Sequence, residues 1–197
     1  MISITIHDQP YEVLSWDDVG SMTLNLAQKI LTTNQKYDRL IALARGGVSI
    51  TQTLADALAV RKISIIQTEM YTGINEKNAT PVVTQAMAAS IKDERVLVVD
   101  DLADSGETLL FISQYLAAQG PKEVKLATLF RKPWTKVTPD FFVQDSGAWV
   151  IFPWETRETI TTLRALWTQK GDDAAKISAN LALLGFSKLV IETYSKS

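Results

Sequence analysis

Asp100 and Asp101 are adjacent carboxylates, followed after Leu102 by Ala103-Asp104-Ser105-Gly106-Glu107-Thr108. Four apolar residues, Val96-Leu97-Val98-Val99, precede them and suit a buried central strand. The residues after the strand read as a loop that opens a helix. Such a junction is an anion site, because its backbone N–H groups lack partners and the helix dipole favours negative charge. Ser105 and Thr108 add hydroxyl donors, and Gly106 lets the backbone approach a phosphate. The acid pair would repel a bare phosphate. It can accept hydrogen bonds from sugar hydroxyls or hold a cation, so the whole string suits a sugar that carries a phosphate.

Three further groups have the right chemistry. Arg45-Gly46-Gly47 follows the short apolar run Leu40–Leu43 and offers a guanidinium with flexible backbone amides. Lys132, after Leu129-Phe130-Arg131, is a donor-only ammonium suited to a carbonyl oxygen. Trp149-Val150-Ile151-Phe152-Pro153-Trp154-Glu155 supplies rings that can stack on a planar base and backbone groups that can read its edge.

The elements that must position these residues alternate. Ile2, Ile4 and Ile6 alternate with polar residues as a strand, and His7-Asp8-Gln9-Pro10 reads as a turn with an exposed, structural His7. Tyr11–Leu14 is its hairpin partner. Ser15 can cap a helix that carries Val19, Met22, Leu26 and Ile30 on one face. Strands are expected at Leu40–Leu43, Ile63–Ile66, Val96–Val99 and Val124–Phe130, with shorter ones at Phe141–Val143 and Trp149–Phe152. Helices are expected at Val48–Ala59 and after the acid loop. Thr68–Gln85 is polar and patternless and reads as a mobile loop or lid. The sum is an α/β fold, a mainly parallel twisted sheet with helices on both faces, whose ligands bind at the carboxyl ends of the strands. From Thr156 onward the chain reads as helical, with Ile160, Leu163, Leu166 and Trp167 on one face and breaks at Gly171 and Gly185.

Composition narrows the classes. The chain has 197 residues, 46% hydrophobic, with formal net charge −2. That supports one domain with a real core and gives no basic field for nucleic acid. Zero cysteines exclude disulfides and thiolate chemistry, and a single histidine excludes a histidine-built metal site. Met1–Pro10 does not read as a leader and no run of 18 apolar residues occurs, so the expected compartment is the cytoplasm. The motifs of P-loop kinases and dinucleotide enzymes are missing.

The string from Val96 to Thr108 resembles the ribose-5-phosphate signature of the type I phosphoribosyltransferases. That resemblance implies the type I fold, with a small base-binding hood and a helical tail, divided as 1–157 and 158–197. It implies transfer of a ribosyl phosphate from phosphoribosyl pyrophosphate (PRPP) to a nitrogenous base, with Mg²⁺ as cofactor. By the same resemblance Arg45–Gly47 holds pyrophosphate, with Ala44 where relatives often have Ser and a non-proline cis peptide at Ala44–Arg45 or nearby. Residues 103–108 grip the 5′-phosphate, with Glu107 expected to point away from it. Asp100 and Asp101 meet the ribose hydroxyls or the metal, directly or through water. Tyr71 keeps the tyrosine of the family's closing loop, and Lys77 is a candidate phosphate contact in it. Lys132, Trp149, Val150 and Glu155 resemble the base-recognition part of the 6-oxopurine enzymes, nearest the xanthine-guanine and archaeal-type hypoxanthine-guanine members. Glu155 stands where relatives have Asp and is a candidate for metal or for the base's amino group.

On this reading Asp104 is the general base, its competing role being a plain helix N-cap. A homodimer or higher homo-oligomer is expected. Two alternatives stay open: an enzyme for orotate, uracil or adenine, and a PRPP-binding regulator without turnover.

Overall fold

The computed structural model describes residues 1–71 and 80–194, with backbone alone at Tyr71. The chain forms two compact units, Met1–Val19 with Gly147–Ser197 and Gly20–Ser146.

The second unit is built on a six-stranded sheet. Its strands are β3 (Arg39–Ala44), β4 (Lys62–Tyr71), β5 (Thr80–Gln85), β6 (Arg95–Ala103), β7 (Glu123–Arg131) and β8 (Phe141–Asp145), in the order β5-β4-β3-β6-β7-β8. All neighbours pair in parallel except β4 and β5. Residues 39–43 and 96–99 are buried at every position, as a parallel strand covered on both faces requires. Ile41, Leu43, Val96, Val98 and Leu126 pack with Leu109, Ile112 and Leu116 of α3 (Glu107–Ala117). Helix α2 (Val48–Ala57) packs on β3, β4 and β6, yet its buried Ile50 and Leu54 lie outside that cluster, which puts it on the opposite face. Helices therefore cover both faces. Because β4 and β6 flank β3 on opposite sides, the strand order reverses between β3 and β6. A crevice at the carboxyl ends forms at such a point.

Two expectations need correction here. The strand expected to end at Val99 runs on to Ala103 and carries both acids within it. Thr68–Gln85 is not one patternless loop: Thr68–Tyr71 extends β4, and Thr80–Gln85 returns antiparallel as β5. Backbone pairing between neighbouring strands stabilises this hairpin without an apolar stripe, which is why periodicity missed it. Residues 72–79, including Lys77, lie outside the described set.

The first unit holds a second, three-stranded sheet. Hairpin β1 (Ile2–Ile6) and β2 (Gln9–Val13) turns at His7 and Asp8, both with positive φ of 50° and 62°. That geometry fits a two-residue hairpin turn whose twist matches its strands. Strand β9 (Trp149–Ile151) pairs in parallel with β2, so it leaves the main sheet altogether. Three helices follow: α4 (Thr156–Gln169), α5 (Ala174–Leu183) and α6 (Lys188–Tyr194). Ile160, Leu163 and Trp167 of α4, Leu166 at the edge, share one core with Ile6, Tyr11, Ile151, Leu181 and Ile191. Gly171 and Gly185, at φ 91° and 88°, separate the helices where the breaks are expected. His7 is half-buried rather than exposed, because Asp172 lies 2.5 Å from its Nε2. Ser15 caps α1 (Trp16–Leu31) reciprocally: its N–H donates to Asp18 Oδ2 at 2.9 Å, and Asp18 N–H donates back to Ser15 Oγ at 3.2 Å.

Candidate active site

Three neighbouring strand ends carry most of the chemistry of the larger unit. Strand β3 delivers Arg45-Gly46-Gly47, β6 delivers Asp100 through Gly106, and β7 delivers Lys132. Parallel pairing places these three ends on one edge of the sheet.

The first loop is compressed against the acid pair. The Ala44–Arg45 peptide is cis, as the resemblance implies. A Cβ added to Gly46 would fall on the Asp101 carboxylate, and one added to Gly47 on the Val99 carbonyl. Only glycine fits either place, so these residues hold the loop's backbone against the end of β6. Arg45 itself is exposed.

Asp101 is buried and Asp100 half-buried. Burial first, and then the neighbouring Asp101 charge, push the Asp100 carboxyl well above the usual carboxylate range. Backbone N–H groups of Asp101, at 3.0 Å, and of Gly47 pull it part of the way back. A crowded, acceptor-only pair at the end of a central strand is unfavourable alone and relieved by a cation or by hydroxyl donors.

The loop after β6 is fixed by its backbone and by a neighbouring segment rather than by a side-chain helix cap. Gly106 occupies the helix N-cap with φ 82° and no side-chain cap, so neither Asp104 nor Ser105 caps α3. Gly106 is required because it turns left-handed against a neighbouring segment: a Cβ there would lie 2.6 Å from Thr135 Oγ1 and 2.8 Å from the Val137 nitrogen. Ala103 is a buried strand end whose carbonyl accepts from the Lys132 N–H at 2.9 Å. Ser105 and Asp104 are exposed, and Ser105 Oγ accepts from the Glu107 N–H at 3.3 Å. Glu107 is engaged by Lys136 Nζ at 2.7 Å, which accounts for a carboxylate in a loop suited to phosphate.

Residues 132–137 brace this loop, and Trp134 and Lys136, beyond the residues the sequence pattern marks, make the main contribution. Lys136 N–H donates to the Ser105 carbonyl at 2.9 Å, and the Trp134 indole N–H donates to Asp104 Oδ1 at 3.0 Å. Lys132 is buried, with its ammonium 5.5 Å from the centre of the Trp134 ring. The available signal was a tryptophan in a turn between two strands, beside a lysine already singled out.

The smaller unit carries the other residues. Trp149 is half-buried, its ring 6.0 Å from that of Tyr11 at 30°, and Tyr11 is a further contact that sequence reasoning passed over. Val150 is buried in β9. Glu155 stands at the N-cap of α4 and its carbonyl accepts from Thr159 N–H at 2.8 Å. Phe152 and Trp154 stack on each other at 4.9 Å, with Trp16 next to Trp154, and these are packing residues. Tyr71 ends β4 at a carboxyl end, its backbone paired with Thr80. Among the described residues no group of three or more His, Asp or Glu side chains forms a metal cluster. No helix among them is long and apolar enough to cross a membrane.

The family model of the phosphoribosyl transferase domain matches residues 16–159. The chain belongs to the phosphoribosyltransferase family. Phosphoribosyl transfer is accordingly its activity. It is 30% identical over 154 residues to the xanthine-guanine phosphoribosyltransferase of Gluconobacter oxydans, covering 77% of this chain and 87% of that one. A purine phosphoribosyltransferase from Pyrococcus horikoshii superposes with TM-score 0.66 at 34% identity, over 73% of this chain and 93% of that one. The Helicobacter pylori xanthine-guanine-hypoxanthine enzyme shares the fold, with TM-score 0.65 at 23% identity over 77% and 98% of the two chains. Residues 160–194, most of α4 with α5 and α6, lie beyond the matched domain.

Proposed function

We propose that this transferase moves 5-phosphoribosyl from PRPP to N9 of a 6-oxopurine (guanine, hypoxanthine or xanthine), releasing pyrophosphate in purine salvage. The observation that carries the choice of base is Lys132, a buried ammonium at the end of β7 beside the acid loop. A donor-only group there favours a carbonyl at purine C6 and penalises an amino group. The relative named for xanthine and guanine and the one named for purine support the same class.

In this reading Asp104 takes the N7 proton as the N9–C1′ bond forms and the bond from C1′ to pyrophosphate breaks. The amides of 103–108 with Ser105 and Thr108 hold the 5′-phosphate. Arg45, Gly46 and Gly47 hold the departing pyrophosphate. Asp100 and Asp101 accept from the ribose hydroxyls, and their crowded carboxylates also fit an oxygen-seeking divalent cation. Mg²⁺, when bound, would neutralise charge on the pyrophosphate. Trp149 stacks on the purine, Val150 reads its edge through the backbone, and Glu155 serves its amino group or the metal. Tyr71 belongs to the segment that covers PRPP. Residues 1–157 form the transferase domain with its hood, and 158–197 extend it as a packing or dimer-forming element. A cytoplasmic homo-oligomer follows from the family resemblance.

The test is a PRPP- and Mg²⁺-dependent assay of pyrophosphate release with guanine, hypoxanthine, xanthine, adenine, orotate and uracil. Turnover confined to 6-oxopurines is expected; turnover with adenine or a pyrimidine would remove the role given to Lys132. Lys132→Ala should raise the 6-oxopurine KM far more than the PRPP KM, and an equal loss in both would make Lys132 structural. PRPP binding without turnover on any base would favour the regulator.

A further inference from the structure

We propose that Trp134 is a positioning residue that couples the base-reading lysine to the proton-accepting carboxylate. The inference rests on the reading of Asp104 as the general base and Lys132 as the 6-oxo reader.

Trp134 touches both groups through different parts of one side chain. Its indole N–H donates to Asp104 Oδ1 at 3.0 Å, and its π-face lies 5.5 Å from the Lys132 ammonium. Asp104 is exposed and sits outside the helix-capping position, so the fold gives it no capping bond to fix its rotamer. An exposed carboxylate samples several rotamers, and a general base must lie within hydrogen-bond reach of its proton. The Trp134 donor selects one orientation and leaves the second oxygen, Oδ2, for the proton.

The tryptophan is itself held in place. Its neighbours tie the segment to the acid loop at three points: Lys132 N–H to the Ala103 carbonyl, Lys136 N–H to the Ser105 carbonyl, and Lys136 Nζ to Glu107. Gly106, which no larger residue can replace without meeting Thr135, keeps the two segments in contact. Trp134 is nonetheless 58% exposed, much more than a tryptophan retained for core packing needs. Its ring offers the lysine a negative face, the arrangement of a cation–π pair. One residue thus touches the groups that face two neighbouring atoms on one edge of the purine, the C6 carbonyl oxygen and N7.

The experiment compares Trp134→Phe and Trp134→Ala with the parent, and repeats Trp134→Phe in an Asp104→Asn background. Phe keeps a ring beneath Lys132 and removes the donor. It should lower kcat about tenfold, the usual worth of a hydrogen bond to a charged group, with KM for the purine and for PRPP within twofold. Ala should lower kcat as much and also raise the purine KM about threefold, as an exposed cation–π contact predicts. In the Asp104→Asn background the Phe substitution should cause no further loss, because its effect passes through Asp104. Wild-type kcat in Trp134→Phe overturns the proposal, as does a raised kcat, which would make the bond a brake. An equal loss with and without the Asp104 carboxylate also overturns it, since Trp134 would then act elsewhere. Wild-type turnover in Asp104→Asn alone overturns the base assignment and the proposal with it. Impaired Asp104→Asn beside unimpaired Trp134→Phe removes only the proposal.

Discussion

Asp172 in the smaller unit is a buried carboxylate and Asp100 in the larger one a half-buried one, and their surroundings treat them oppositely. Asp172, its side chain 3% exposed, meets Lys176 at 2.7 Å, His7 at 2.5 Å and the Asn180 amide at 3.3 Å. The Lys176 ammonium first, and His7 after it, hold its carboxyl below the usual range. Asp100 has backbone donors but a second carboxylate beside it, and is pushed the other way. A buried charge completed by its own protein is a structural device. One left to a crowded neighbour stores a mismatch that a ligand can relieve.

The sharpest way to break that contrast is Asp100→Asn. Asn keeps an acceptor for the Asp101 N–H while removing the charge. PRPP-dependent turnover should fall about 100-fold, as for loss of a positioned electrostatic group. The unliganded protein should gain thermal stability at neutral pH. The sign follows from linkage: a folded pKa above the unfolded one means that stability is lost as pH rises from the unfolded value toward the folded one. The Tm advantage of the variant should therefore vanish below about pH 4, the unperturbed carboxylate range. A variant equally active, or less stable at pH 7, would mean that Asp100 is satisfied like Asp172.

Gly46→Ala should come next. Its Cβ collides with the Asp101 carboxylate, so PRPP affinity should fall with a stability cost of about 1–3 kcal/mol for overpacking. Unchanged PRPP binding, read by calorimetry, would show the loop free of the acid pair.

Asp172→Asn should do the reverse of Asp100→Asn. Tm should drop at pH 7 while kcat and both KM values stay unchanged. Because the folded carboxyl is depressed, its contribution is present above the unfolded value and fades as pH falls through the folded one. The difference in Tm between wild type and variant should accordingly close in acid. A kinetic effect would give the helical extension a part in catalysis. The smallest effect is expected for Gly171→Ala, with φ 91° and open space around its Cβ, which should cost about 1 kcal/mol of backbone strain and nothing in activity.

The acid loop was legible because its chemistry is local. A buried strand, two carboxylates, a hydroxyl and a glycine within a dozen residues constrain each other without knowledge of the rest of the chain. The tail's breaks at Gly171 and Gly185 were legible for a similar reason, since both glycines take the positive φ that ends a helix. Strand β5 was missed because a half-buried edge strand rich in Thr and Gln is stabilised by its pairing partner rather than by its own pattern. His7 was misjudged because its partner lies 165 residues away.

Sequence alone determined the alternation of the central strands with their helices and singled out the acid pair, the loop after it and the lysine, since each follows from residue types at short range. Tertiary structure decided that β9 joins β2 instead of the main sheet, that Gly46 must admit Asp101, and that Trp134 reaches Asp104 across 30 residues of chain. Those outcomes depend on which segments meet in space, and meeting is settled by burial and pairing summed over the whole fold rather than by any one stretch of it.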